Sequence, residues 1–257
     1  NLTVRLRSPV ERIEIVEGRA TGVVYRDASG ASQRVTTNGE IIVAAGALVT
    51  PKILMLSGIG PADHLREHDV AVAVDMPGVG QHLIDHPEVP ITSYTNGPYG
   101  YYKQGVGWRM LMNGLEFKMF GRGRITSSGV EAGAFVNPDD PAGEPTIQAF
   151  AVPIVYLDRD SSMRLKDDFG FTITTVVVKP RSRGEVRLRS ADPADMPLVS
   201  PNLLKDPADM AAMVAGQRFF LRAFETSPLA ERIDRIISPE GDDRSDAALA
   251  EHCKMAV

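Results

Sequence analysis

Residues Gly46 to Gly60 read GALVTPKILMLSGIG, directly after the apolar run EIIVAA. A strand-like run that meets glycine, restarts at Thr50-Pro51 and stops at Ser57-Gly58-Ile59-Gly60 implies that something lies close against the backbone, because glycine permits sharp turns and close approach. Thr50 is read as the cap of a helix whose first residue is Pro51, since proline loses no hydrogen bond there and its φ is already helical. That helix is short and ends at Ser57-Gly58.

Upstream, from Leu2 to Ala45, short β runs alternate with turns: TVRLR, VERIEIVEG, ATGVVYRD, a turn at Ala28-Ser29-Gly30-Ala31, then SQRVTT and EIIVAA. Val23, Val24 and Tyr25 followed by Asp-Ala-Ser-Gly mark a hairpin. Downstream, a second helix is expected over Ala62 to His68, then an extended segment over Val70 to Val74 that enters the loop PGVGQHLIDHP. After Pro90 the texture becomes Gly- and aromatic-rich (Tyr94, Tyr99, Tyr101, Tyr102, Trp108), followed by a helical stretch around Trp108 to Phe120. Strands are expected in VEAGAFV, PTIQAFAVPIV, GFTITTVVV and GEVRLRS. Asp206-Pro207-Ala208-Asp209 opens a long helix whose Met210, Met213, Val214, Leu221 and Phe224 recur near the helical period and read as core. The composition shift at Pro87 to Ile91 suggests two domains, 1–90 and 91–257.

Composition narrows the function classes. With 28 Lys+Arg against 33 Asp+Glu the net charge is -5, and no basic block of the kind nucleic acid requires is present. The longest apolar stretch, near Ile41 to Val49, falls well short of the ~18 residues of a membrane span. The single cysteine, Cys253, excludes an internal disulfide and leans toward a reducing compartment, with a cytoplasmic location expected. The chain opens at Asn1 with a β pattern, as a piece of a longer polypeptide would, so any targeting segment is expected upstream.

Two motifs carry little. Four Gly-x-Gly pairs occur, at Gly58/Gly60, Gly78/Gly80, Gly105/Gly107 and Gly121/Gly123, and none extends to the dinucleotide fingerprint Gly-x-Gly-x-x-Gly after a strand. HLREH, His64 to His68, spells the His-x-x-Glu-His of inverted zinc peptidases, but on a short helix between Pro61 and Asp69 a solvated polar face explains it without a metal. A zinc metallohydrolase is therefore disfavoured.

GALVTPKILMLSGIG is far more specific, and it resembles the second signature of the glucose-methanol-choline (GMC) family of FAD-dependent oxidoreductases over its whole length. SPVERI leading into a meander, IIVAAGA, PGVGQHLIDH, SSGVEAGAF and RSRGEVRL resemble further family segments in order. The resemblance implies an α+β chain: an α/β portion of an FAD domain with a β-meander, then a substrate domain whose antiparallel sheet is flanked by helices. It implies FAD contacts at Val10 (backbone to adenine), Ala44, Ala45, Gly46, Asp85 and His86, with the small residues letting backbone N–H groups approach the dinucleotide. Glu131 resembles the carboxylate that faces the quaternary ammonium in choline-oxidising members, while Ser128 and Val130 replace the Asn and aromatic beside it. His82 stands where the family usually has Asn.

The resemblance also implies what lies elsewhere. The pyrophosphate-cradling glycines should precede Asn1, and the catalytic His should follow Val257, so no catalytic residue is assigned in this chain and His252 is not promoted to that role. The remainder of the same polypeptide and a small alcohol are the implied partners, and the fragment alone is expected to be inactive. In the intact enzyme, an alcohol or choline dehydrogenase or oxidase, a histidine would take the alcohol proton while hydride passes to the flavin. The alternatives are a redox-silent member like the hydroxynitrile lyases, or a non-catalytic binding fragment.

Overall fold

The computed structural model describes residues 2–156 and 168–257. The chain divides into two compact units, Asn1–Asp85 with Arg183–Asn202, and His86–Ser182 with Leu203–Val257. Residues 183–202, which the sequence reading gives to the second domain, thus belong to the first unit.

The first unit begins with an antiparallel meander, β1 (Val10–Val16), β2 (Arg19–Arg26) and β3 (Ser32–Thr36). The expected hairpin turn is held by Asp27, whose carboxylate accepts from the Ser29 and Ala31 N–H groups. Two expected strands are absent: residues 3–7 and 41–45 join no ladder, and Ile42 is 86% exposed. An apolar run becomes a strand only beside a neighbour that satisfies its backbone groups. Neither has a partner strand among the described residues, although Arg5 Nη1 donates to the Tyr25 hydroxyl at 2.9 Å.

The helix of the opening stretch, α1 (Gly46–Leu56), begins at Gly46 rather than at Pro51. Gly46 adopts φ +83°, a conformation L side chains rarely take, and this sharp entry starts the helix early. Thr50 is therefore not its N-cap; its hydroxyl accepts from the Ala45 N–H at 3.2 Å, and Pro51 sits inside the helix. The chain then forms β4 (Ile59–Gly60), α2 (Ala62–Glu67), β5 (Val74–Asp75) and β6 (Gln81–Leu83), with β4 and β5 parallel. Gly58 and Gly60 serve this packing directly. A Cβ on Gly58 would stand 2.4 Å from the Ala71 carbonyl oxygen, and one on Gly60 2.9 Å from Met55 Cγ.

The second unit opens with β7 (Glu88–Thr95), a strand that sequence reading missed. Pro90 argues against an interior strand because it cannot donate to a ladder. It is tolerated because the neighbour on that side reaches only Thr92 to Thr95, leaving Pro90 at a local edge. Then come α3 (Gly107–Phe120), β8 (Ala132–Val136), β9 (Ile147–Val152) and β10 (Gly170–Val177), close to their expected positions.

Next, β11 (Gly184–Arg187) pairs with β12 (Leu198–Ser200) and with β6, closing the first unit around Met55, Leu65, Val79 and Leu188. The second unit resumes with α4 (Pro207–Phe224), β13 (Ile233–Ser238) and α5 (Asp246–Ala256). Asp206 caps α4 by accepting from the Ala208 N–H at 2.8 Å. The antiparallel sheet β13-β7-β10-β9-β8 buries one face under α4 and α5, where Met213, Leu221, Phe224, Leu249 and Cys253 meet Val89, Ile91, Ile147 and Ile173. Fully burying such aliphatic or aromatic side chains stabilises by about 2 kcal/mol each. Within this core Gln217 Nε2 donates to the Val89 carbonyl at 2.9 Å and to Thr175 Oγ1 at 2.6 Å, fixing α4 against two strands.

Asp209, only 2% exposed, accepts from the Arg181 and Ser182 N–H groups, both at 2.7 Å, and from Ser182 Oγ at 2.6 Å. Burial raises its pKa, but these donors prevail and the carboxyl stays below its ordinary value. Asp209→Ala strands the buried N–H and hydroxyl of Ser182 and the part-buried N–H of Arg181, and should cost about 3 kcal/mol of unfolding free energy in chemical denaturation. A loss under about 0.5 kcal/mol would contradict this role.

Candidate functional site

Ala44, Ala45 and Gly46 are all exposed at the start of α1. No side chain caps that end, no acidic residue occupies the first turn, and a Cβ on Gly46 would meet nothing within 4 Å. Unlike Gly58, Gly46 faces open space. A helix N-terminus with free N–H groups and small flanking residues suits an anionic group. Val10, 37% exposed, begins β1 just before a register shift at Glu11. Asp85 is exposed at the end of the first unit; His86, in the second, places Nε2 3.1 Å from the Val178 carbonyl. His82 is exposed with φ +61°, a left-handed backbone that Asn, its expected occupant, adopts more readily than most residues.

Glu131 immediately precedes β8, its N–H donating to the Ala151 carbonyl at 2.9 Å. The hydroxyls of Ser127 and Tyr101 both donate to its Oε1. Ser127 first, then Tyr101, holds the carboxyl below the ordinary glutamate pKa. Oε2 has no partner among the described residues. An exposed carboxylate is thus pinned by one oxygen and offers the other. Val130 supplies no ring, but Tyr101 does, and Gly133, opposite Phe150 in the ladder, puts Phe150 and Phe135 on the face that Glu131 shares. Sequence reading could not find Tyr101, because no local spacing connects it to Glu131.

Of the expected contacts, Val10, Ala44, Ala45, Gly46 and Asp85 lie in the first unit, and His86 and Glu131 in the second. Among the described residues no cluster of three or more His, Cys, Asp or Glu could hold a metal, and no helix is long and apolar enough to cross a membrane.

The first unit thus carries an uncapped helix entry and a meander, and the second an antiparallel sheet with an anchored carboxylate. Family models described as GMC oxidoreductase match residues 1–88 and 180–257. The chain belongs to the GMC oxidoreductase family. It is 32% identical over 244 residues to the alcohol dehydrogenase [acceptor] of Pseudomonas putida, covering 93% of this chain and 43% of that protein. It is 34% identical over 241 residues to the choline oxidase of Arthrobacter globiformis, covering 92% and 40%. A formate oxidase of Aspergillus oryzae RIB40, studied for FAD modification, superposes with a TM-score of 0.83 at 25% identity, covering 97% of this chain and 48% of that one. The chain spans less than half the length of each of these relatives.

The His-x-x-Glu-His motif has a different use. His64, 7% exposed, accepts the Leu188 N–H at Nε2 (3.0 Å), so in the neutral ring the proton sits on Nδ1, 3.2 Å from Glu67 Oε2. Arg187 Nη2 approaches both groups, at 2.9 Å from Nδ1 and 3.2 Å from Oε2. Nε2 therefore attaches α2 to the chain at Leu188, and Glu67 Oε2, accepting from the Nδ1–H and from Arg187 Nη2, attaches it to Arg187. His252 is half-buried, bonded to the Pro90 carbonyl, and Cys253 is buried with its thiol pushed up to about 12 by desolvation, so neither is a reactive group. Burial, opposed by Glu67, lowers the His64 pKa. The unfolded chain then binds the proton first: the stability from neutral His64 is complete above about pH 6.5 and is lost as pH falls from there through the lower folded value. His64→Leu should flatten the pH dependence of unfolding free energy below about pH 6.5; equal slopes in the two proteins would refute the assignment.

Proposed function

We propose that this chain is the central part of an FAD-dependent oxidoreductase acting on the CH–OH group of primary alcohols. Its first unit is the partial FAD-binding domain and its second the substrate domain. The observation that carries the reading is the pairing of two features in the expected segments: an open, uncapped helix entry at Gly46 and a carboxylate at Glu131 with one free oxygen. The relatives, an alcohol dehydrogenase and a choline oxidase, support the reaction class.

The residues present fit the cofactor. The first-turn N–H groups of α1 would donate to its anionic part, Ala44, Ala45 and Gly46 would admit it by their small size, and Val10, Asp85 and His86 would contribute polar contacts. When bound, FAD supplies the two-electron acceptor for alcohol oxidation. This chain's own share of the chemistry is binding and orientation. Glu131, kept ionised by Ser127 and Tyr101, receives the polar or cationic end of the alcohol at Oε2, and the rings of Tyr101 and Phe150 offer π faces to a cationic head. The acid–base residue for the alcohol proton belongs to the remainder of the polypeptide.

The intact polypeptide should be yellow, and a primary alcohol should bleach it anaerobically; a flavin that no alcohol bleaches would favour a redox-silent lyase. Glu131→Gln should raise KM for a cationic alcohol by about fivefold or more relative to a neutral alcohol of similar size, because only the cation loses a charge partner. Equal losses for both would make Glu131 structural.

A further inference from the structure

Tyr101 and Glu131 are far apart in sequence and meet because the end of β9 holds both backbones. The Glu131 N–H donates to the Ala151 carbonyl at 2.9 Å, and the Tyr101 N–H to the Pro153 carbonyl at 2.8 Å. Gly100 makes the second contact possible. At φ +105°, a Cβ on it would stand 2.2 Å from the Pro153 carbonyl oxygen, so a larger residue would push Tyr101 off that acceptor.

One turn then aims the two side chains. Arg124–Thr126 forms a single 3-10 turn, closed by the Thr126 hydroxyl donating to the Gly123 carbonyl at 2.7 Å. Ser127, at its end, accepts the Gly129 N–H at 2.9 Å and donates to Glu131 Oε1. Arg124, at its start, grips Tyr101 twice: Nη1 donates to the Gly100 carbonyl at 2.6 Å, and the guanidinium carbon lies 5.6 Å from the centre of the Tyr101 ring. A planar guanidinium can lie over a ring and donate in a fixed direction at once, which a lysine ammonium does poorly. Arg124 forms no ion pair among the described residues. The hydroxyls of Ser127 and Tyr101, rather than the Arg124 charge, hold the Glu131 carboxyl low.

We propose that Arg124 is a positioning residue for the Glu131 carboxylate, acting through Tyr101. It fixes the phenol so that its hydroxyl engages Oε1, which leaves Oε2 as the oxygen presented to a ligand. The consequence for substrate choice rests on the reading of Glu131 as the carboxylate that receives the alcohol; the positioning itself does not.

Variants of the intact flavin-loaded protein test this in two ways. Titration of the Glu131 carboxyl by carbon-13 NMR, its signal assigned by its loss in Glu131→Gln, reads the positioning without any substrate. Tyr101→Phe should move the carboxyl pKa up toward the ordinary glutamate value, because one of its two donors is gone. Arg124→Ala should move it the same way, and the double variant no further than Tyr101→Phe alone. Arg124→Lys, which keeps the charge without the planar fork, should behave as Arg124→Ala does and gives the same comparison if the alanine variant does not fold. In turnover, Arg124→Ala should raise KM for a cationic alcohol about threefold relative to a neutral alcohol of similar size, with kcat and flavin content unchanged. An unmoved titration in Arg124→Ala, full additivity with Tyr101→Phe, or restoration by Arg124→Lys would overturn the proposal. A shifted titration with no charge selectivity in either Arg124→Ala or Glu131→Gln would support the positioning and overturn instead the reading of Glu131 as the alcohol's partner.

Discussion

A single close approach organises the first unit: a Cβ on Gly80 would stand 2.1 Å from the carbonyl oxygen of Val186, so only glycine allows the two backbones to meet. The Val186 N–H donates to the Gly80 carbonyl at 2.7 Å, and two residues on the Leu188 N–H reaches His64. Lys52 Nζ donates to the Pro193 and Asp195 carbonyls at 2.8 and 2.7 Å. These contacts bring residues 183–202 back to α1 and α2, and Leu188 completes a core that local sequence could not close. Without this returning segment, α1 would lose the anchor at Lys52 and the cover that Leu188 gives Met55.

Glycines of the first unit therefore do two different jobs. Gly58 and Gly80 are filled by the chain's own backbone, and a larger residue at either would collide with a carbonyl oxygen. Gly46 collides with nothing; what it provides is a backbone turn, at φ +83°, that leaves the first N–H groups of α1 uncovered. The first kind builds the domain, and the second leaves open the helix entry proposed above to face the cofactor. The same separation holds in the second unit, where Gln217 and Asp209 satisfy buried backbone while Glu131 keeps one oxygen unused at the surface.

What sequence reading could see follows from this division. The meander, α2, α3, the strands β8 to β11 and the α4 core stripe were legible because each is written in local periodicity and turn residues. The start of α1 was misread because Thr50-Pro51 is a strong local signal, and the positive φ of Gly46, which overrides it, has no signature beyond glycine itself. β7 was missed because Pro90 forbids a ladder on both sides, and the partial reach of β13 that makes it tolerable is a tertiary fact. The Tyr101–Glu131 contact and the return of residues 183–202 depend on segments far apart in sequence, and no spacing announces them.

The central claim is that the entry of α1 is a ligand-facing surface while the Gly58 to Gly60 turn is internal packing. Amide hydrogen exchange of the intact apoprotein, with and without added FAD, tests it most directly. Slower exchange at residues 44–49 on FAD addition, with residues 58–60 unchanged, is the predicted result. Exchange at 44–49 that does not respond to bound FAD would contradict the account.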